Sequence, residues 1–418
     1  MATEKIRTSH WASLVGLLIL LIAAGMNGIV VAETAPNEYP FTAEEQKEID
    51  EFLAEFGSDV KAVDHNDYAM SLLHKAVRNQ HRDRNGSVVN RDWGIAITKF
   101  LVSKRADVNA RNEIGWTPLH TACMHDKNIE VIKFLVANGA DVNAKGRDMW
   151  DRTPLHYAVT AKNLEVVRFL ASQGADVNAK DGKNVSVLNV ATQYRGNDEI
   201  ILFLVSSGAD VNAAEGWYGN MPLHWAARTV NDVETIKTLV SKGADVNAED
   251  QGYTILHSAG RNDNVEVAKF FVSKGLNVNA RDRFGNTPLY MAAWYNKNIE
   301  VIQFLIAEGA DINAKTADGE SMLHAAAHGG NSESAKFFIS KGLNVNARDN
   351  EGNTPLHWAA RVNKNADVVK ILVSAGADVN ASTAHTLRSW LSATGKTPLG
   401  LAKENGNTAI IEYLESIK

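Results

Sequence analysis

The sequence has little cysteine and no surplus of basic charge. Cys123 is the single cysteine among 418 residues, which excludes an intramolecular disulfide and a zinc site built from two thiolates. Lysine and arginine number 43 against 49 aspartate and glutamate residues, and the formal net charge is −6. That balance argues against DNA, RNA and anionic membrane surfaces as partners, because phosphates attract a basic stripe.

Long apolar runs are equally scarce, and the single one lies at the N-terminus. Residues 11–26 carry no charge and follow a short positive segment that contains Lys5. Val30 and Ala32 then place small side chains at the two key positions before a cleavage site. This pattern is typical of a signal peptide. We therefore expect residues 1–32 to be removed on export and the remainder to reach the periplasm or the extracellular space.

A membrane anchor is the alternative interpretation of the same segment. Residues 11–32 could just span a hydrocarbon core of roughly 30 Å if they were retained. Asn27 and Gly28 interrupt the run, and a polar stretch with proline follows it, so cleavage is favoured. A retained segment would tether the protein to a membrane, and no other membrane contact is expected.

Two landmarks recur along the chain with a shared period of about 33 residues. A Thr-Pro-Leu-His-like block has its leucine at Leu73, Leu119, Leu155, Leu188, Leu223, Leu256, Leu289, Leu323, Leu356 and Leu399. A Val/Ile-Asn-Ala sequence has its asparagine at Asn109, Asn143, Asn178, Asn212, Asn247, Asn279, Asn313, Asn346 and Asn380. The shared period predicts a repeat protein rather than two or three separate domains.

Each unit contains the signals for two short helices. In one unit, Thr117 is a suitable N-cap, and Pro118 suits the first helical turn, where its missing N–H is no loss. Residues 129–136 place apolar side chains along one face of a second helix, and Gly139 suits the left-handed residue after it. Two short helices cannot bury their apolar faces alone, so neighbouring units should stack into a continuous core.

The repeated blocks resemble ankyrin repeats. Three blocks match the family pattern fully, namely Thr117-Pro118-Leu119-His120, Thr153-Pro154-Leu155-His156 and Thr354-Pro355-Leu356-His357. The resemblance covers residues 64–418 in about ten units. It implies an all-α solenoid of stacked helix pairs with short β-hairpin-like fingers, whose concave surface meets partners. It also implies that the histidine of the block, with the threonine before it, hydrogen-bonds the finger.

Seven histidines occupy the fourth position of the block: His74, His120, His156, His224, His257, His324 and His357. A metal array is the alternative to a structural role. Helices of neighbouring units are spaced roughly 8–10 Å apart, whereas a shared metal ion requires ligands at about 2.0 Å. We therefore predict a structural role for these histidines and expect no metal and no cofactor.

Some units depart from the pattern. Ser186-Val187-Leu188-Asn189 replaces the block in one unit, and Val187→Pro should raise the unfolding midpoint by restoring the usual helix start. Arg105 stands where other units carry the glycine that follows the second helix, at an expected cost of about 1 kcal/mol in the free energy of unfolding.

Insertions at 79–92 and 382–396 lengthen the first and last units. Residues 33–63 should form a polar linker and a capping helix, because Thr42 and Glu45 make a capping box.

The candidate binding surface consists of aromatic and apolar residues in the fingers and at the end of one first helix. Its members are Ile114, Trp116, Met149, Trp150, Trp217, Tyr218, Tyr253, Phe284, Trp294 and Tyr295. Tryptophan and tyrosine are enriched in interface hot spots, so these residues predict a surface that binds another protein. The alternative is that several of them pack on neighbouring units within the stack.

The sequence as a whole favours an exported scaffold that binds another protein and is not an enzyme. No phosphate-binding glycine loop, His-Glu-x-x-His motif or serine nucleophile elbow occurs in it. Two alternatives remain at this stage. One is a scaffold tethered by an uncleaved N-terminal segment, and the other is an enzyme or host-directed effector that uses the inserted loops.

Overall fold

The computed structural model describes residues 41–59, 63–64, 70–78, 80–82, 88–90, 94–125, 129–147, 149–216, 220–362, 366–383 and 395–417. All of these belong to the compact unit Phe41–Lys418. The predicted signal peptide, residues 1–32, lies outside the described residues, as does most of the second insertion. None of the helices in the described ranges is long and apolar enough to cross a membrane.

The described chain is mostly helical, as predicted. Its helices are α1 Ala43–Phe56, α2 Leu72–Ala76, α3 Gly94–Ser103, α4 Pro118–His125, α5 Ile129–Ala137, α6 Pro154–Thr160, α7 Leu164–Ser172, α8 Val187–Gln193, α9 Asp198–Ser206, α10 Pro222–Thr229, α11 Val233–Ser241, α12 Ile255–Ala259, α13 Val265–Ser273, α14 Pro288–Tyr295, α15 Ile299–Ala307, α16 Met322–His328, α17 Ser332–Ser340, α18 Pro355–Val362, α19 Asp367–Ser374, α20 Pro398–Glu404 and α21 Thr408–Ser416.

The strands are short and occur in pairs. They are β1 Val63–Asp64, β2 Met70–Ser71, β3 Gln80–Arg82, β4 Val88–Asn90, β5 Glu249–Asp250 and β6 Tyr253–Thr254, joined in three two-stranded antiparallel sheets. The β3–β4 hairpin lies within the insertion at 79–92. The β5–β6 pair lies in a finger, which agrees with the hairpin-like fingers implied by the family resemblance.

After α1, the helices alternate as first and second members of successive pairs. The first helices, α2 to α20 in even numbers, contact one another in order, and each packs on its own second helix. The block leucines, such as Leu119 and Leu155, are fully buried between them. Helix α1 packs on α3 and buries Ile49 and Phe52, and Thr42 caps its N-terminus in the predicted capping box. The fold is therefore an all-α solenoid with one continuous core.

The recurring Val/Ile-Asn-Ala asparagine ties each unit to the next. Asn109 Nδ2 donates to the Gly139 carbonyl at 2.8 Å, and the Asp141 amide donates to Asn109 Oδ1 at 2.9 Å. The same pair of bonds recurs at Asn143, Asn178, Asn212, Asn279 and Asn346. This periodic landmark is therefore explained by a hydrogen-bonded link between successive units.

Arg105 adopts the left-handed conformation that the other units give to glycine. Its φ is 66°, against 90° for Gly139 at the equivalent position. A side chain is strained at this φ, so we expect Arg105→Gly to raise the free energy of unfolding by about 1 kcal/mol. Denaturant melts measure the change. The reverse substitution, Gly139→Arg, should lower it, and equal midpoints for both variants and the parent would contradict the strain argument.

The expected stabilisation by Val187→Pro is not supported by the structure. The Val187 amide donates to the Ala179 carbonyl at 3.2 Å, a bond that proline cannot make. Ser186 already caps α8 by accepting from the Asn189 amide at 3.1 Å. We now expect Val187→Pro to lower the free energy of unfolding by about 1 kcal/mol or more, since a buried carbonyl loses its partner.

Met322→Pro is the matched control for Val187→Pro. Met322 holds the same place in a Ser-Met-Leu-His block, and no backbone hydrogen bond of its amide to another described residue occurs. Denaturant melts of the two variants should therefore diverge, with Val187→Pro the less stable. Equal or reversed midpoints would restore the original expectation.

Candidate protein-binding surface

The block histidine links the start of its own first helix to the finger of the next unit through two hydrogen bonds. The Thr117 amide donates to His120 Nδ1 at 3.0 Å, so the ring proton sits on Nε2, which lies 3.0 Å from the Arg152 carbonyl of the next finger. Burial lowers the pKa of His120 to about 4. The ring is neutral, and both of its nitrogens are occupied by hydrogen bonds. This confirms the implied bond between the block and the finger.

The other block histidines bond in the same way, and Asn189 substitutes for one of them. Asn189 accepts from the Ser186 hydroxyl at 2.7 Å and donates from Nδ2 to the Asn220 carbonyl at 3.2 Å. Tyr290 occupies the same position in another unit and donates its hydroxyl to Glu320. Within the described residues, no group of His, Cys, Asp or Glu is arranged to hold a metal ion.

Counted from the first residue of the block, the eighth position is partly exposed or exposed in the described units, whereas the fifth position is buried in most of them. In two units these positions read Trp225-Ala226-Ala227-Arg228 and Trp358-Ala359-Ala360-Arg361. The tryptophans and arginines of both are partly exposed or exposed, while the alanines are buried. The Trp225 and Trp358 indoles donate to Glu215 at 2.8 Å and to Asp349 at 3.1 Å, so each ring is held in place by its own finger.

Three of the predicted surface residues are well exposed. Met149 is 71% exposed, Phe284 is 53% exposed and Tyr295 is 42% exposed. The Arg283 guanidinium lies 4.5 Å from the centre of the Phe284 ring. These side chains keep large apolar areas accessible to a partner.

The remaining described candidates are only partly exposed: Ile114, Trp116, Trp150, Tyr253 and Trp294. Trp116 packs on Tyr157 of the next unit, with ring centres 4.4 Å apart. Lys183 Nζ and the Arg152 guanidinium lie 3.7 and 5.0 Å from the Trp150 ring centre. Tyr253 stacks on His257 with ring centres 5.1 Å apart. Packing between units is the alternative considered from the sequence, and it therefore covers part of the aromatic surface of these residues. Trp217 and Tyr218 lie outside the described residues.

A stack of four rings runs across three consecutive first helices, α14, α16 and α18. Tyr295 lies parallel to Trp294 with ring centres 5.0 Å apart, and Trp294 lies 4.1 Å from His328. His328 stacks in turn on Trp358 at 4.8 Å, with an angle of 12° between the rings. We call this stack, with its terminal arginines, the aromatic ladder: Arg261, Tyr295, Trp294, His328, Trp358 and Arg361.

An arginine lies at each end of the aromatic ladder. The Arg261 guanidinium is 3.7 Å from the Tyr295 ring centre, and that of Arg361 is 5.4 Å from Trp358. Such pairs combine cation–π attraction with stacking. The pKa of His328 is lowered, first by burial and then by Arg361. The ring is therefore neutral near pH 7, and the two terminal arginines carry the charge of the ladder.

A groove of about 200 Å³ opens beside the Arg261 end of the aromatic ladder. Trp225 and Arg228 of α10, Tyr253, Arg261 and Phe284 contribute to its walls. Burial lowers the pKa of Arg228, and the nearby positive charge of Arg261 lowers it further. The groove thus combines aromatic surface with two guanidinium groups that repel each other.

Part of this surface was not predicted from the sequence. Most of the predicted residues belong to fingers. The residues that were missed lie in first helices or directly after one: Trp225, Trp358, Arg228, Arg361 and, two residues after α12, Arg261. The signal that could have found them is the repeated Trp-Ala-Ala-Arg, together with arginine at the eighth position of a third unit, at Arg261. Cys123, by contrast, is buried in the core.

The comparison with protein families agrees with the geometry. A family model described as ankyrin repeats (3 copies) matches residues 88–181, 182–250, 223–316 and 289–383, which together cover more than half of the chain. The chain belongs to the ankyrin-repeat family. No curated protein matches the sequence. Ankyrin repeats generally mediate protein–protein interaction.

Proposed function

We propose that this ankyrin-repeat protein is an exported, non-catalytic scaffold that binds another protein through its first helices and fingers. The observation that carries the proposal is the aromatic ladder with the groove beside it. Both lie on the side of the first helices that the solenoid core does not cover. Exposed aromatic area of this extent is uncommon on a surface that meets only water.

Export is supported by the N-terminal pattern, namely the charge-free segment and the small residues Val30 and Ala32. N-terminal sequencing of the exported protein should find Glu33 as the first residue. A protein that retains Met1 or Ala2 in a membrane fraction would favour the tethered alternative.

Binding should depend on the two most exposed rings of the surface. Phe284→Ser with Tyr295→Ser removes them, and loss of interface hot spots typically costs about 2 kcal/mol or more, or about thirtyfold in affinity. We expect this double variant to lose capture of a partner from the native compartment, with residues 33–418 as bait, while its melting curve changes little. Trp217→Ala with Tyr218→Ala, which removes two other members of the candidate binding surface, should act in the same direction.

Leu202→Ser is the matched control for this capture experiment. Leu202 is 37% exposed but lies on α9, a second helix, away from the ladder. The control should keep the partner that the double variant loses. Capture that survives in a well-folded double variant would move the site elsewhere, with the insertions at 79–92 and 382–396 as the next candidates.

A further inference from the structure

We propose that the groove beside the aromatic ladder binds a carboxylate side chain in an acidic segment of the partner protein. The proposal rests on the proposed function and names the chemistry of the partner. Three arginines line the groove. Arg283 donates to the Gln251 side chain at 2.5 Å, and the guanidinium groups of Arg228 and Arg261 would receive the carboxylate between them.

The groove carries more positive than negative charge, since three arginines and two aspartates line it. The groups that shift the pKa of Arg228 are its own burial, Arg261, Tyr253 and Tyr295, and none of them is a carboxylate. Among the described ion pairs, neither Arg228 nor Arg261 has an acidic partner. The two partly buried guanidinium groups repel each other, and a carboxylate placed between them would offset that cost.

A hydrogen-bond donor of Arg261 is also unused. Arg261 Nε is buried and makes no hydrogen bond within the described residues. The guanidinium lies 3.7 Å from the centre of the Tyr295 ring, and this contact restricts its orientation before an acceptor arrives. A planar guanidinium of restricted orientation suits a carboxylate, whose two oxygens accept parallel N–H bonds.

The surroundings favour a carboxylate over a phosphate group. Asp250 and Asp282 also line the groove. Asp282 accepts from the Phe284 and Asn286 amides at 2.9 Å, so its charge is held by its own turn, and Asp250 lies in β5. Two nearby acidic groups penalise a doubly charged phosphate more than a singly charged carboxylate. Burial lowers the pKa of His224 in the same groove, so that ring adds no positive charge near pH 7.

The size of the groove and the position of the rings suggest how the segment is held. A volume of about 200 Å³ is smaller than a drug-sized pocket and suits one side chain. Trp225, Tyr253 and Phe284 would cover the apolar stem of a glutamate while the arginines meet its head. The aromatic ladder continues from Arg261, so apolar residues next to the glutamate would lie along it.

Titration with poly-L-glutamate of about 20 residues tests the proposal by calorimetry at low salt. The parent should bind, and Arg228→Gln with Arg261→Gln should weaken binding at least tenfold. Arg168→Gln is the matched control, because Arg168 also stacks on a ring, Phe203 at 4.7 Å, but belongs to a second helix. The control should bind as the parent does, and circular dichroism should show all three proteins equally folded.

Three outcomes would overturn the proposal. The first is that the parent does not bind poly-L-glutamate, and the second is that the arginine double variant binds as well as the parent does. The third is that a serine-phosphorylated peptide binds more than tenfold tighter than its glutamate counterpart, which would assign the groove to phosphate. These outcomes differ from a failure of the proposed function. That failure would appear in the capture experiment, as unchanged capture of the native partner by the Phe284 and Tyr295 double variant.

Discussion

Acidification from pH 6.5 to pH 4 is expected to remove most of the stability of the solenoid. Burial lowers the pKa of His74, His120 and His156 to about 4, and it lowers those of the other four block histidines as well. An unfolded histidine has a pKa near 6.5, so between these values the unfolded chain binds more protons than the folded chain. Stability is therefore fully present above pH 6.5 and is lost as the pH falls.

The magnitude follows from the size of the shifts. Lowering the histidine pKa from 6.5 to about 4 in the folded state corresponds to about 3 kcal/mol in the free energy of unfolding for each of these three buried rings. A whole domain is stable by only about 5–15 kcal/mol. Protonation of His120 would also put a hydrogen on Nδ1. That atom could then no longer accept the hydrogen bond from the Thr117 amide. Denaturant melts at a series of pH values measure the loss.

Asn189 provides the design for a variant that does not titrate. Because this amide makes the same bonds as a block histidine, His120→Asn with His156→Asn should fold and flatten the pH dependence. Each replaced ring should reduce the slope by up to about 1.4 kcal/mol per pH unit. The reverse variant, Asn189→His, should steepen it. Identical slopes in all of these proteins would rule out the block histidines as the cause of acid sensitivity.

Gly329→Ala is expected to separate two neighbouring units at a cost of about 3 kcal/mol. A Cβ atom on Gly329 would lie 1.9 Å from the Trp294 carbonyl oxygen and 2.9 Å from its carbon. The obstacle is backbone, so no side-chain rotation relieves it. The φ of Gly329 is −71°, which any residue adopts, so the cost comes from contact and not from conformation.

Gly400→Ala is the matched control for Gly329→Ala. Gly400 lies in α20, and the nearest atom to an added Cβ is Thr397 Oγ1 at 3.5 Å, an ordinary contact. Alanine is the better helix former, so this variant should gain up to about 1 kcal/mol. Denaturant melts should therefore move in opposite directions. Two midpoints that shift alike would contradict the close approach of α14 and α16 at Gly329.

The repeating features of the fold were predictable because each follows from a local rule. Proline at the first helical turn, glycine after the second helix and the block histidine have equivalent neighbours in the units that carry them. Asn109 and its equivalents were recognised as landmarks, but their bond to the next unit is visible only when the units are stacked. The Val187 amide shows the same limit, because its acceptor, Ala179, belongs to the finger before it.

The binding surface was predicted less completely because exposure depends on neighbours in space. Trp116 and Tyr253 lie in fingers, yet rings of adjacent residues and units cover part of them. Trp358 and His328 come from first helices about 30 residues apart in sequence, and they form one stack only because those helices are adjacent. Period and composition identify the units, whereas the ladder depends on which outer positions face each other.

Hydroxyl-radical footprinting of residues 33–418, free and bound to the captured partner, tests the central claim most directly. Oxidation reports the access of solvent to each side chain, and Trp294, Tyr295 and Phe284 are reactive and accessible in the free protein. The account predicts strong protection of these three side chains in the complex and unchanged oxidation of Phe203 and Phe270 on the second helices. Protection confined to the second helices, with the aromatic ladder still open to oxidation, would contradict it.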